Sequence, residues 1–158
     1  MRMVDSMQTA KSRAADALKA VLHQISQIKV SGIDIDSPRP DLKIDILAHL
    51  EVLGHNHTLV CKVEASGRPE HVRVALDELR GRHDTLDGNT TVVFIAPRVS
   101  EEAQALCREC RAGFLDLEGN ARIDLGEVFI VKRTLPPLAR KLPVSISRRV
   151  EAQLAGVA

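Results

Sequence analysis

Apolar residues recur at Ala10, Ala14, Ala15, Leu18, Val21, Leu22, Ile25 and Ile28. Intervals of three and four belong to one face of a helix. The pattern predicts a helix over 7–29, with Lys11, Arg13, Lys19 and Gln24 on its wet side. Ser31-Gly32 ends it, and a loop broken by Pro38 and Pro40 follows. The period then changes to two. Ile44, Ile46, Ala48, Leu50 and Val52 alternate with Asp45, Leu47, His49, Glu51 and Leu53, the signature of a strand. Gly54-His55-Asn56-His57 reads as a turn. The returning strand carries Leu59, Cys61, Val63 and Ala65 on one side and Lys62, Glu64 and Ser66 on the other.

Ser66-Gly67-Arg68-Pro69 interrupts the chain, and Val72, Ala75, Leu76 and Leu79 mark a second helix over 70–82. The nearly unbroken apolar run over 89–97 fits a central strand covered on both faces. Ser100 is placed to cap a third helix that reaches about Arg111. Short extended pieces follow at 113–117, 121–124 and 127–132, and a last helix is expected over 145–154. A hairpin feeding alternating helices and strands predicts an α/β fold, a mixed β-sheet flanked by helices. The expected organisation is one domain over 1–135. A C-terminal extension over 136–158 carries Arg140, Lys141, Arg148 and Arg149.

With 158 residues, 44% of them hydrophobic, the chain is long and apolar enough for a core of its own. Its 22 Lys and Arg nearly cancel its 21 Asp and Glu, so any nucleic-acid contact must come from a local patch. Three Phe and no Tyr or Trp argue against platforms that stack unpaired bases. Cys61, Cys107 and Cys110 are too few and too oddly numbered for a disulfide framework. A reducing cytoplasm is the expected location. No apolar run suits a signal peptide or a membrane span, so no membrane partner is expected.

The chemistry-bearing surface is the polar side of the hairpin. In a simple register Asp45, His49 and Glu51 face the same way as Lys62 and Glu64, and directly opposed side chains lie about 5 Å apart. Carboxylates beside a lysine are the parts of a divalent-metal site, with Mg²⁺ taking the carboxylate oxygens and water. The same residues equally make an ordinary solvated ladder of ion pairs.

Pro40-Asp41, the strand after it, and Leu59-Val60-Cys61-Lys62-Val63-Glu64-Ala65-Ser66-Gly67-Arg68-Pro69 resemble the PD-(D/E)xK nuclease superfamily. Leu115-Asp116-Leu117-Glu118-Gly119-Asn120-Ala121 resembles a second stretch found in some bacterial proteins of that kind. The resemblance spans about residues 7–131. It implies a restriction-endonuclease-like fold, Mg²⁺, DNA as partner and hydrolysis of phosphodiesters. It puts an acid on the first hairpin strand and acid-x-lysine on the second. Asp45 suits the first acid because it faces Lys62 and Glu64; Asp41 is the other candidate. The second motif departs from the pattern. Lysine and acid are exchanged, as Lys62-Val63-Glu64, which moves the carboxylate about 6–7 Å along the strand. The first helix also lacks the glutamate that many active relatives carry there.

The expected site residues are therefore Asp45, Lys62 and Glu64, with Asp45 and Glu64 as the metal ligands. Arg68, Arg73 and Arg80, on or near the second helix, are the expected DNA contacts. Three outcomes stay open. The site is rebuilt around Asp45, Glu64 and Glu51, or it has lost catalysis, or the domain is a non-catalytic DNA- or protein-binding module, regulatory or antitoxin-like. Loss of efficient cleavage is the expectation, and a homodimer is compatible with the chain. Cys107-x-x-Cys110 has no second ligand pair nearby and reads as helix packing. His55 and His57 read as exposed turn residues.

Overall fold

The computed structural model describes residues 2–36, 44–81, 89–133 and 145–147. In chain order these form α1 (Arg2–His23), β1 (Ile28–Ile35), β2 (Ile46–Val52), β3 (His55–Val63), α2 (Pro69–Gly81) and β4 (Thr90–Ala96). Then come α3 (Glu101–Glu109), β5 (Gly113–Asp116), β6 (Ala121–Asp124), β7 (Phe129–Lys132) and β8 (Ser145–Ser147). The strands make one sheet in sequence order. β1, β2 and β3 are an antiparallel meander. The crossovers through α2 and α3 make β3, β4 and β5 parallel. From β5 to β8 the sheet is antiparallel again. The fold is α/β, a mixed sheet flanked by helices.

Each face of the sheet has its own core. Leu18, Leu22 and Ile25 pack against Ile46, Ala48, Leu50, Leu59, Cys61, Val63, Val93 and Ile95 on one side. On the other, Val72, Ala75 and Leu76 of α2 and Ala103, Leu106 and Cys107 of α3 enclose Phe94, Ala96 and Phe114. Consecutive residues of β4 thus serve opposite cores, which is why its run of apolar residues is unbroken.

Three expectations about elements are corrected. α1 ends at His23, and 28–35 is the edge strand β1 instead of a helix end and a loop. A bulge between Val30 and Gly32 explains the misreading. Ile28 and Val30 alternate, one extra residue intervenes, and Ile33 and Ile35 alternate in the shifted phase. The hairpin turn is Leu53-Gly54, both at positive φ (49° and 86°), so His55 and His57 belong to β3. Residues 145–147, expected as helix, extend the sheet as β8 beside β7.

The chain after β3 is pressed onto the chain after β4. Gly67 has no room for a side chain: a Cβ there would lie 1.8 Å from the Arg98 carbonyl oxygen and 2.8 Å from Val99 Cα. Ser100 N–H donates to the Gly67 carbonyl across this contact at 3.3 Å. Gly67→Ala must push two backbones apart. The expected loss is about 1–3 kcal/mol of stability, read as a lower urea midpoint, and an unchanged midpoint would refute the close contact.

Candidate functional site

Asp45 stands immediately before β2, one residue outside the strand that its alternation suggested. Its N–H donates to the Cys61 carbonyl (3.0 Å), so the ladder that pairs Ile46 with Cys61 runs on and sets Asp45 opposite Lys62. The carboxylate is buried, and burial of a charge demands partners. Asp45 Oδ2 accepts from Val63 N–H at 2.8 Å and lies 3.8 Å from Lys62 Nζ. Its Oδ1 lies 3.4 Å from Lys11 Nζ. Lys11 also donates to Asp36 Oδ1, and Asp36 N–H donates to the Asp45 carbonyl (2.8 Å).

Glu64 follows β3, and its N–H donates to the Ile95 carbonyl of β4 at 2.9 Å. It is half-buried. Burial pushes its carboxyl above the usual range; Lys62 pulls it back, Asp45 and Glu78 push it further, and His71 opposes them. Asp45 and Lys62 thus pair across the strands, and Glu64 lies close enough for both, and for His71 and Glu78 of α2, to act on its charge. For Lys11, burial works against the charge, but the hydrogen bond to Asp36 and the fields of Asp45 and Asp36 outweigh it and raise its pKa. Asp36 is held below the usual carboxylate range, first by its hydrogen bond from Lys11.

The other expected residues are dispersed. His49 is opposite Thr58 and Glu51 opposite Asn56, so both run away from the pocket along β2. Glu51 lies six residues from Asp45, about 20 Å along an extended strand, and does not join it. His49 Nε2 is 3.7 Å from Asp34 Oδ2 of β1. Arg68 and Arg73 are exposed before and on α2; Arg80 lies in α2, and its side chain is outside the described residues. Asp41, Arg82 and the C-terminal Arg140, Lys141, Arg148 and Arg149 are also outside them. His57, expected in an exposed turn, is buried, with Nε2 2.7 Å from Thr91 Oγ1. Because Thr91 Oγ1 donates its single proton to the Asp124 carbonyl, His57 Nε2 is the donor in that pair. Cys107 packs in the α2–α3 core, where burial and the neighbouring Cys110 push its thiol up to about 12.

Sequence reasoning missed Lys11, which was assigned to the wet side of its helix. The signal was there. Lys11 precedes Ala15, Leu18 and Leu22 by four, seven and eleven residues, the spacing of the buried stripe itself. The Leu-Asp-Leu-Glu-Gly-Asn-Ala stretch has a structural explanation. Buried Asp116 accepts from Glu118 N–H (2.9 Å), Asn120 N–H (2.8 Å) and Asn120 Nδ2 (2.8 Å), and this holds the β5–β6 turn.

No protein-family model matches the chain, and no curated protein matches it. Among solved structures, a repair endonuclease from Pyrococcus abyssi is similar over 65% of this chain and 46% of that protein, less than half its length. The identity is 13% and the TM-score 0.41. Likeness at that level establishes neither a shared fold nor a shared activity. No helix among the described residues is long and apolar enough to cross a membrane.

The pocket's chemistry follows from its charges. Among the described residues, no three His, Cys, Asp or Glu side chains converge as metal ligands. Both Asp45 oxygens already face ammonium or amide donors, so a divalent cation there would meet two like charges at close range. That donor set does not fit a resident Mg²⁺. What it does offer is a carboxylate fixed between two lysines, beside a carboxyl that holds its proton to higher pH than usual.

Two outcomes follow. Lys11→Met keeps the apolar stem but leaves Asp45 and Asp36 short of a cation, and it should cost about 1–3 kcal/mol in urea unfolding at neutral pH. An equally stable variant would show that Lys11 does not hold α1 to the site. Glu64, with its folded pKa raised, keeps a proton that the unfolded chain releases, so its contribution to stability falls as pH climbs from 4.5 to the raised value. Glu64→Gln removes that fall. Its urea midpoint should match the parent's below this window and exceed it above; the reverse order would place Glu64 in a stabilising ion pair instead.

Proposed function

We propose that this chain is a restriction-endonuclease-like domain that associates with DNA and whose metal-dependent phosphodiesterase site is impaired or rearranged. The observation that carries the reading is the carboxylate of Asp45 fixed between Lys11 and Lys62. In the resemblance drawn from sequence, this carboxylate and an acid on the next strand would bind Mg²⁺ against the scissile phosphate. Here the next strand offers Lys62 opposite Asp45, and the acid has moved two residues on, to Glu64. The order of elements supports the reading: a first helix, then a hairpin with the acid and the lysine, then a helix and a parallel strand. The exchange of lysine and acid, and a first helix without a glutamate, oppose catalysis.

In this reading the pocket's residues act by charge and position. Lys62 sits where it can meet a phosphate, although it also neutralises Asp45. Glu64 lies beside it, half-protected from water. Arg68, in the loop that follows Glu64, and Arg73, on α2, are exposed and unpaired among the described residues, so both are available to the backbone of a nucleic acid. The non-catalytic reading, a DNA-binding module, is favoured over an efficient nuclease by the same lysine pair.

The deciding measurement is cleavage of supercoiled plasmid with Mg²⁺ or Mn²⁺, beside binding of duplex DNA in chelator. The plasmid should stay uncut with both the parent and Glu64→Ala, while the parent binds duplex without metal and loses affinity steeply with salt. Nicking that disappears in Glu64→Ala or Asp45→Asn would restore the active nuclease. Absence of both cleavage and DNA binding would leave a protein-binding module.

A further inference from the structure

A second group of charges lies three strands away from the Asp45 pocket, about 15 Å across the sheet. α3 covers β4 and β5 through Phe94 and Phe114, but Arg122, Phe129 and Val131 beyond it are only partly buried. Two adjoining clefts, of about 320 and 340 Å³, run along this strip between α3 and the β6–β7 pair and share Arg108 and Arg122. Four arginines line them: Arg108 and Arg111 from the end of α3, Arg122 from β6 and Arg133 just after β7. Lys132 borders the second cleft, but it pairs with Ala121 and shares the other face of the sheet with Ile130. Glu101 and Asp124 are the acids that line the same clefts. Among the described residues none of the four arginines is within ion-pair distance of a carboxylate.

Two of these arginines are held at a disadvantage. Burial lowers the pKa of Arg122, Arg108 and Arg133 lower it further, and Asp124 offsets them in part. Arg122 also lies over the Phe129 ring, 4.4 Å from its centroid, which fixes the guanidinium in the trough. Arg111 has φ +58°, in the left-handed region that favours glycine. It closes α3 at the position a helix usually gives to glycine: Arg111 N–H donates to the Arg108 carbonyl (3.1 Å) and Ala112 N–H to the Cys107 carbonyl (2.8 Å). The negative end of the helix accounts for basic residues at 108 and 111. It does not account for Arg122 and Arg133, which reach the trough from the β6–β7 pair.

We propose that this trough docks the phosphate backbone of duplex DNA. Guanidinium groups match phosphate oxygens in pairs, and a row of them without carboxylate partners suits a row of phosphates. The aromatic residues exclude a single-strand platform: Phe94 and Phe114 are buried, and Phe129 is covered by Arg122. The trough is argued from its own residues and does not need the Asp45 pocket to be catalytic. That the duplex is DNA rests on the function proposed above.

The test is fluorescence anisotropy of a labelled duplex with the full chain in chelator, from about 50 to 200 mM salt. Arg108→Ala/Arg133→Ala, both at exposed positions, should weaken binding about ten-fold or more and lower the salt slope by about two. Far-ultraviolet circular dichroism checks that the variant folds. Arg111→Gly relieves the left-handed strain, so it should melt at a higher temperature than the parent and yet bind DNA less well, a pair of changes that a purely structural arginine would not give. Unchanged affinity in both variants, or loss of binding in Arg68→Ala/Arg73→Ala alone, would overturn the trough. Loss in the trough variants together with tighter binding of duplex RNA, or of vesicles rich in anionic lipid, would keep the trough as an anion site and overturn its assignment to DNA. Absence of any duplex binding by the parent would overturn the proposal, whatever the outcome of the cleavage assay.

Discussion

A carboxylate taken out of water must be neutralised where it stands, and much of the local arrangement around β2 follows from doing so for Asp45. One oxygen is met by the Val63 amide and Lys62 of β3, the other by Lys11 of α1. The contact therefore joins three elements at one point: the helix on one face, the start of the second strand and the end of the third. Asp36 adds the last residue before the 37–43 segment through its bond to Lys11 and its N–H to the Asp45 carbonyl. An aspartate in this position does not report catalysis by itself, because it is fully employed in holding the chain together.

That employment also bears on the order Lys62-Val63-Glu64. Side chains two apart on a strand share a face, so Lys62 and Glu64 point to the same side but stand about 6–7 Å apart. Lys62 stands opposite Asp45 and pairs with it. Glu64 lies past the last residue of β3, half-buried, where burial first, and then the fields of Asp45 and Glu78, raise its pKa against those of Lys62 and His71. A cation, and not a second carboxylate, therefore holds the place across from Asp45.

Much of this was legible in the sequence, for identifiable reasons. The strict alternation of 44–53 and 59–65 fixes which residues share a face, and so it brings Asp45, Lys62 and Glu64 together before any coordinates exist. It overreached at His49 and Glu51, because alternation gives the face and not the position along the strand; antiparallel register then carries those two away from Lys62. β1 was hidden by one bulged residue that broke its phase. Lys11 was misread because a lysine on a helix is ordinarily assigned to water, although its spacing places it within the buried stripe. The basic trough was illegible for a different reason. Arg108, Arg122 and Arg133 are far apart in the chain, and only the return of β6 and β7 alongside α3 assembles them.

The formal charge of +1 conceals how unevenly the charges are used. A near-neutral total argues against a global basic field, but it treats every acid as available to every base. Asp45 and Asp36 are both engaged by lysines in the pocket beside α1, and Glu118 is bound to Arg98 on the turn after β4. Acids committed in this way do not screen a cluster three strands away, since interactions between exposed charges fade over about 10 Å at ordinary salt. In the trough itself only Glu101 and Asp124 stand among the arginines, and neither is within ion-pair distance of one. A chain of this composition can therefore be electrically quiet as a whole and still present one strongly cationic strip, and the place to look for its ligand is where the pairing of charges fails.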